Sequence, residues 1–228
     1  MPNSFFKFKQ FTVHQDRCAM KVGTDGTLLG AWAHGGRSIL DVGTGTGLIA
    51  LMMAQRFPQA SLVGIDVDED ACRQASENVA ASPFKVDIVH GSVLDFEGTF
   101  DCIVSNPPYF EESLECPDGK RTMARHASAL SYRNLMQSAW RMLTDDGELS
   151  IVIPADCKDR MESEATLAGF SKSRECAVKT TLRKPPRRYL LSFRKHAPMS
   201  VQTEVGILEI EPGVRSEWYR QLTQDFYL

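Results

Sequence analysis

The chain has 228 residues, a formal net charge of −3 and a pI near 6.0, with 24% charged and 43% hydrophobic residues. Such a composition excludes disorder, collagen and coiled coil as the main architecture. No apolar run approaches the roughly 20 residues that cross a bilayer, and the opening stretch lacks an apolar segment with a cleavage site, so a soluble chain in the cytoplasm is expected.

The expected elements alternate along the chain. Residues 37–42 form a short apolar run stopped by glycines, which reads as a buried strand, and 48–57 reads as a helix ending before Pro58. Residues 61–65 read as a second strand, 69–81 as a helix with Asp68 as N-cap, and 86–90 as a third strand. A fourth strand, 100–105, stops at Asn106-Pro107-Pro108. No periodicity marks 110–126, and a stretch that long inside a compact chain reads as a functional loop. A helix over 131–143, a turn at Asp145-Asp146-Gly147, a strand over 148–153 and a helix over 156–168 closed by Gly169 follow. Residues 174–180 and 188–193 read as two strands with no helix between them, hence an antiparallel hairpin at the sheet edge. A strand near 205–210 and a short helix near 218–222 end the chain. Strands alternating with helices predict an α/β fold, a parallel sheet covered on both faces.

The six cysteines, at 18, 72, 102, 116, 157 and 176, show no CxxC pair, so no zinc or thioredoxin-like site is expected. The small net charge hides a strong imbalance. Residues 64–101 hold nine acids and two bases, whereas 172–195 hold nine bases and one acid. Lys7 and Lys9 add bases among the aromatics of the N-terminal stretch. Basic runs are often no more than solvated surface. Two of them at opposite ends of a nearly neutral chain point to a polyanionic partner.

Asp41-Val42-Gly43-Thr44-Gly45-Thr46-Gly47 lies between the first strand and its helix. Glycines allow a tight turn and close approach to a ligand. The spacing GxGxG departs from the dinucleotide pattern, and Asp41 in front of it would repel a pyrophosphate. Asp41 suits a cation or a water-bridged ammonium instead. Asp66, at the end of the second strand, can accept both hydroxyls of a ribose. Together they describe a nucleoside ligand without phosphate. Asn106-Pro107-Pro108-Tyr109 follows the fourth strand, where open α/β sheets bind ligands. Prolines remove two donors and leave carbonyls that no helix consumes. Asn106 adds an amide oxygen, and Tyr109 offers either a stacking face for a base or a core ring. The pair of acceptors suits a planar amino group.

These two motifs resemble the class I S-adenosylmethionine-dependent methyltransferases that act on exocyclic amino nitrogens. Residues 8–13 and 20–32, with the tail 222–228, resemble a narrower family, the bacterial enzymes that methylate the adenine beside the anticodon of a valine tRNA. The resemblance implies a Rossmann-like, seven-stranded, mostly parallel sheet with an antiparallel edge hairpin. It implies a single methyltransferase domain over 1–228, with additions at 1–35 and 196–228. It further implies S-adenosylmethionine held by Thr24, Asp41, Gly43, Gly45, Gly47, Asp66, Val67, Ser92, Val93 and Asn106. For Thr24 a simple helix cap is the competing role, in a turn at 23–26 before a helix over 27–33. Ser92 stands where relatives often carry an acid for the adenine amine. Asn106, Pro107 and Tyr109 are the expected catalytic residues, acting by positioning, with no metal, His or Cys needed; His14 and His126 are read as structural. The expected partner is tRNA, met by Lys7, Lys9, Arg121, Arg125, Lys184, Arg187 and Arg188, with no membrane and no obligate protein partner. Glutamine methyltransferases of release factors share the tetrapeptide, so a protein acceptor is the alternative, and a non-catalytic RNA-binding module is the third reading.

Overall fold

The computed structural model describes residues 4–16, 21–108 and 130–228. In chain order the elements are β1 (Phe5–Lys7), β2 (Thr12–His14), α1 (Thr24–Trp32), β3 (Ser38–Val42), α2 (Leu48–Arg56), β4 (Ser61–Asp66), α3 (Glu69–Ala80), β5 (Asp87–His90) and β6 (Phe100–Ser105). They continue as α4 (Tyr132–Met142), β7 (Leu143–Pro154), α5 (Lys158–Leu167), β8 (Ser171–Lys179), β9 (Pro186–Arg194), β10 (Gln202–Ile207), β11 (Glu209–Glu211), β12 (Val214–Arg215) and α6 (Glu217–Thr223).

The central sheet has the order β10-β8-β9-β7-β6-β3-β4-β5. The pairs β3–β4, β4–β5, β3–β6 and β6–β7 are parallel, while β9 runs antiparallel to both β7 and β8. From β3 the chain winds outward through β4 and β5, then returns to β6 on the other side. The carboxyl ends of β3 and β6 therefore flank the switch point, where such sheets open a crevice. Successive strand residues face opposite sides. Leu40 enters a core with Leu135, Met136 and Met142 of α4 and Met161 of α5, while Ile39 enters one with Leu28, Leu29, Ile49 and Tyr219. The stripe Leu135, Met136, Ala139, Met142 on α4 is the apolar face its spacing demands. Asp68 caps α3, its carboxylate accepting from Asp70 N and Ala71 N.

Several sequence expectations change. The sheet has eight strands rather than seven, because β10 pairs in parallel with β8, from Gln202 opposite Arg174 to Ile207 opposite Lys179. The antiparallel hairpin is thus covered and no longer forms the edge. An open strand edge is a row of unmet donors and acceptors, and the tail supplies the partners for this one. The 145–147 turn is absorbed into β7 as a bulge: Leu143 opposes Phe100, and the next pair is Glu148 with Cys102. Helix α1 starts at Thr24, so residues 24–26 are its first turn, with no side-chain cap. The α1 helix packs on α2, and a Cβ on Gly30 would stand 2.9 Å from both Cβ and Sδ of Met52, so a glycine sets the approach. The N-terminal aromatics are core. Phe8 and Phe11 are buried and stacked at 4.7 Å, and they pack with Leu51, Met52 and Phe226.

One charged cluster ties the strands together behind the sheet. Glu148, 3% exposed, lies 3.2 Å from Arg174, 3.0 Å from Arg194 and 3.3 Å from His34, and accepts from Ser173 Oγ. Burial pushes its carboxyl upward, but His34, Arg194 and Arg174 more than offset this and hold it at about 2 against an ordinary 4.5. A depressed carboxyl stabilises the fold above its unfolded value and loses that contribution as pH falls. Urea titrations should therefore show stability falling as pH drops from 4.5 toward 2. Glu148→Ala should cost about 3 kcal/mol at neutral pH, chiefly because it strands the largely buried Arg174, and should flatten the acid slope.

Candidate active site

The glycine loop is built on a buried acid. Asp41 is fully buried at the end of β3, and its Oδ2 accepts from Thr44 Oγ1 at 2.8 Å and Ala50 N at 3.2 Å. Its Oδ1 is buried without a partner among the described residues. Burial is the main reason its carboxyl is pushed up to about 7, with a smaller push from Asp66; Thr44 and Ala50 pull the other way. Gly43, Gly45 and Gly47 have φ of 72°, 56° and 80°, the left-handed region that a side chain disfavours. Gly43 N and Thr44 N both donate to Ile65 O, at 2.9 and 3.0 Å, which lashes the loop to β4. Gly43 faces open space, whereas Gly47 lies against Ala75 of α3. Asp66 ends β4. Its Oδ2 accepts from Gly45 N at 2.9 Å and its Oδ1 from Asp68 N at 3.0 Å. A carboxylate oxygen has two lone pairs, so both can still accept from a diol.

The acceptor turn stands beside the loop. Ser105 Oγ donates to Val42 O at 2.9 Å, joining the ends of β6 and β3. Asn106 follows, half-buried, with Pro107 buried behind it. A cavity of about 260 Å³ brings together Thr24, Gly43, Gly45 and Asn106. Asp41 supports it from beneath, and Asp66 and Val67 lie along the end of β4. Val67 is exposed. Ser92 is half-buried, its Oγ accepting from Leu94 N, and the Val93 side chain is core, so only its backbone can meet a ligand. Tyr109, Arg121 and Arg125, with His126, lie outside the described residues.

The basic residues separate into three groups. Lys184 and Arg187 are exposed on the β8–β9 hairpin, whose tip projects from the same end of the sheet as the glycine loop and Asn106. Lys7 is exposed on β1, but Lys9 is occupied, donating from Nζ to Gln224 O at 2.5 Å and from its backbone to Phe226 O at 2.8 Å. Arg188 lines the cavity instead of standing beside Arg187, and its Nε lies 2.8 Å from Asp25 Oδ1. Strand alternation explains the split, since neighbours face opposite sides.

Lys21 and Asp25 also border the cavity and were missed as site residues, whereas Arg188, expected on the RNA, stands on the cavity wall. Asn78 of α3, 1% exposed, was missed as well. Its side chain accepts from His14 N and donates to His14 O and to Thr46 O, each at 2.9 Å, so it rivets β2 to the glycine loop. The available signal was a polar residue on the buried stripe Ala71, Ala75, Asn78, since a buried amide must be paired. The donor set fits a nucleoside cofactor with a cationic end: a diol acceptor at Asp66, an open cradle at Gly43, and an unpaired carboxylate oxygen at Asp41. Among the described residues no group of three or more His, Cys, Asp or Glu is placed to hold a metal.

Residues 27–175 match the methyltransferase small domain family. A tRNA1(Val) (adenine(37)-N6)-methyltransferase of Bacteroides thetaiotaomicron is 46% identical over all of this chain and 99% of its own length. The counterpart from Phocaeicola vulgatus is 48% identical, again over all of this chain and 99% of its own. Among solved structures, a predicted O-methyltransferase from Agrobacterium tumefaciens superposes with a TM-score of 0.69 at 15% identity, covering 89% of this chain and 96% of that one. A TehB-like SAM-dependent methyltransferase from Corynebacterium glutamicum gives 0.53 at 19% identity, covering 76% and 89%. At such identities the likeness is one of fold, that of class I methyltransferases.

Asp41 makes the stability of the fold pH-sensitive. Its carboxyl titrates near 7 folded and near 3.8 unfolded, so the folded chain holds an extra proton between these values and loses stability as pH rises through them. Asp41→Asn should remove that slope. The stability difference between variant and parent should be absent below pH 4 and grow to at most about 4 kcal/mol by pH 8, as read by urea unfolding at a series of pH values.

Proposed function

Because the chain belongs to the tRNA1(Val) (adenine(37)-N6)-methyltransferase family, we propose that it methylates the exocyclic amine of the adenine beside the anticodon of a tRNA, a valine tRNA by kinship. The observation that carries the reading is Asn106, which opens a rigid two-proline turn on the cavity that the glycine loop borders. S-adenosylmethionine supplies an electrophilic methyl group when bound. Asp66 would hold its ribose, Gly43 and Gly45 would pass close to it, and Thr24 and Asp41 would face its amino-acid end. Val67, Ser92 and the Val93 backbone would border its adenine.

The residues of the chain then act on the acceptor. An adenine amine is a poor nucleophile because its lone pair is delocalised into the ring. The Asn106 side-chain oxygen and the Pro107 carbonyl accept its two hydrogens and hold the nitrogen toward the methyl donor. Most of the acceleration is positioning. The same two dipoles favour the positive charge that grows on nitrogen, and the proton leaves after transfer. An anticodon-loop base must leave its stack, at a cost of a few kcal/mol. Tyr109 is assigned to stack on it, which offsets about 1–3 kcal/mol.

Lys184 and Arg187 on the hairpin, with Lys7, are assigned to RNA phosphates, and Arg121 and Arg125 to the same partner. Lys9 is assigned to the same phosphates through the donors that its bond to Gln224 O leaves. Residues 1–228 work as one methyltransferase domain, with 1–35 and 196–228 as additions around the sheet. A tRNA substrate places the work in the cytoplasm. Among the described residues no helix is long and apolar enough to cross a membrane.

Transfer of a labelled methyl group to tRNA from cells lacking the enzyme should yield methyladenosine on digestion. Label in protein alone would overturn the reading. Asn106→Ala should lower the transfer rate by about 100-fold or more, the scale of a lost positioning contact, while calorimetry shows cofactor binding preserved. Reversing both Lys184 and Arg187 to Glu should raise the tRNA KM and reduce its salt slope by about two. An unchanged KM would remove the hairpin from the RNA path.

A further inference from the structure

Arg188 departs from the rest of the basic hairpin. It stands near the start of β9, opposite Pro154 of β7 and Val178 of β8, at the carboxyl end of the parallel strands. Its side chain keeps 23% of its surface, but Nε is sealed from solvent 2.8 Å from Asp25 Oδ1, an ion pair without hydrogen-bond geometry. A guanidinium carries five N–H donors in a fixed fork. Asp25 engages the inner edge, and among the described residues no hydrogen bond from the terminal nitrogens to another protein group is present. Those nitrogens belong to a side chain on the wall of the 260 Å³ cavity, together with Asn106 and the glycine loop. Lys21 and Arg188 give that wall two cations against the one acid, Asp25. An ion pair this close to water adds little to folding. What it does is hold a fork in one orientation, which is how planar oxyanions are read.

We infer that Arg188, oriented by Asp25, is the oxyanion-binding residue of the cavity, taking a carboxylate or phosphate group at the junction between the methyl donor and the acceptor adenine. This rests on the methyltransferase reading above. Two sources carry that chemistry there: the α-carboxylate of the donor's amino-acid end, and a phosphate flanking the flipped nucleotide. Asp25 is a positioning residue, since it acts through Arg188.

The test uses the full chain, Arg188→Ala, Arg188→Lys and Asp25→Asn, with two readouts. The first is the calorimetric Kd for S-adenosylmethionine and for its decarboxylated form. The second is the tRNA KM as a function of salt. If the carboxylate is bound, Arg188→Ala weakens S-adenosylmethionine by about tenfold or more, the scale of a charge-assisted pair, and leaves the decarboxylated form unchanged. If a phosphate is bound, cofactor affinity holds, the tRNA KM rises by a similar factor and the salt slope falls by about one. Arg188→Lys keeps the charge without the fork and should show a smaller loss in the same readout. It decides the question if the alanine variant fails to fold. Asp25→Asn should shift that same readout in the same direction. A folded variant, Arg188→Ala or else Arg188→Lys, with both constants within about twofold of the parent, less than half a kcal/mol of binding, would overturn the assignment. The parent's own transfer to tRNA is measured alongside. Its absence would defeat the RNA reading, whereas the carboxylate comparison needs only cofactor binding.

Discussion

Asp41 Oδ2 accepts from a side chain inside the glycine loop and from a backbone amide in the first turn of α2. That one oxygen, out of contact with water, fixes how the loop leaves the strand and how the helix receives it. Three left-handed glycines make the path possible, and two donors to Ile65 O set its distance from β4. Gly45 then meets Asp66, so the two acids of the site are held relative to each other through four residues of backbone. Moving Asp41 would move all of this together. Desolvating a carboxylate is unfavourable, and here one of its oxygens has no partner among the described residues.

The acceptor half is coupled to this anchor through the sheet. Ser105 bonds back to Val42, one residue after Asp41, so the Asn106 turn and the glycine loop start from the same short stretch of paired strand. A rigid turn on a rigid strand suits a reaction in which most of the gain comes from orientation. Flexible chemistry-bearing side chains are not needed, and the two acceptors assigned to the amine sit on or next to prolines.

Much of this was legible in the sequence because it is local. The strand cores, the α3 cap at Asp68, the glycine loop and the proline turn depend on neighbours a few residues apart, and propensity and spacing report on such contacts directly. What was not legible depends on pairing across long separations. The β10 strand carries no sign that it will run parallel beside β8, and a seven-stranded count was the result. Arg187 and Arg188 look equivalent in sequence, yet the pleat sends one to solvent and the other to the cavity. The aromatic residues beside Lys9 look in sequence like a stacking surface for RNA, whereas the fold packs them against the C-terminal segment. Asn78 shows the same limit: a helical amide gives notice that it needs partners, and only the fold tells which.

The two ends of the chain meet. Lys9 bonds to Phe226 O through its backbone, and Phe8 lies in one cluster with Phe226. The hairpin formed by β1 and β2 is thus secured by a residue far from it in sequence. The same hairpin leads into residues 21–26, which wall the cavity. Contacts at Phe226 therefore reach the pocket through the hairpin, and a change there would loosen one wall while the sheet and the glycine loop, held by their own bonds, stand.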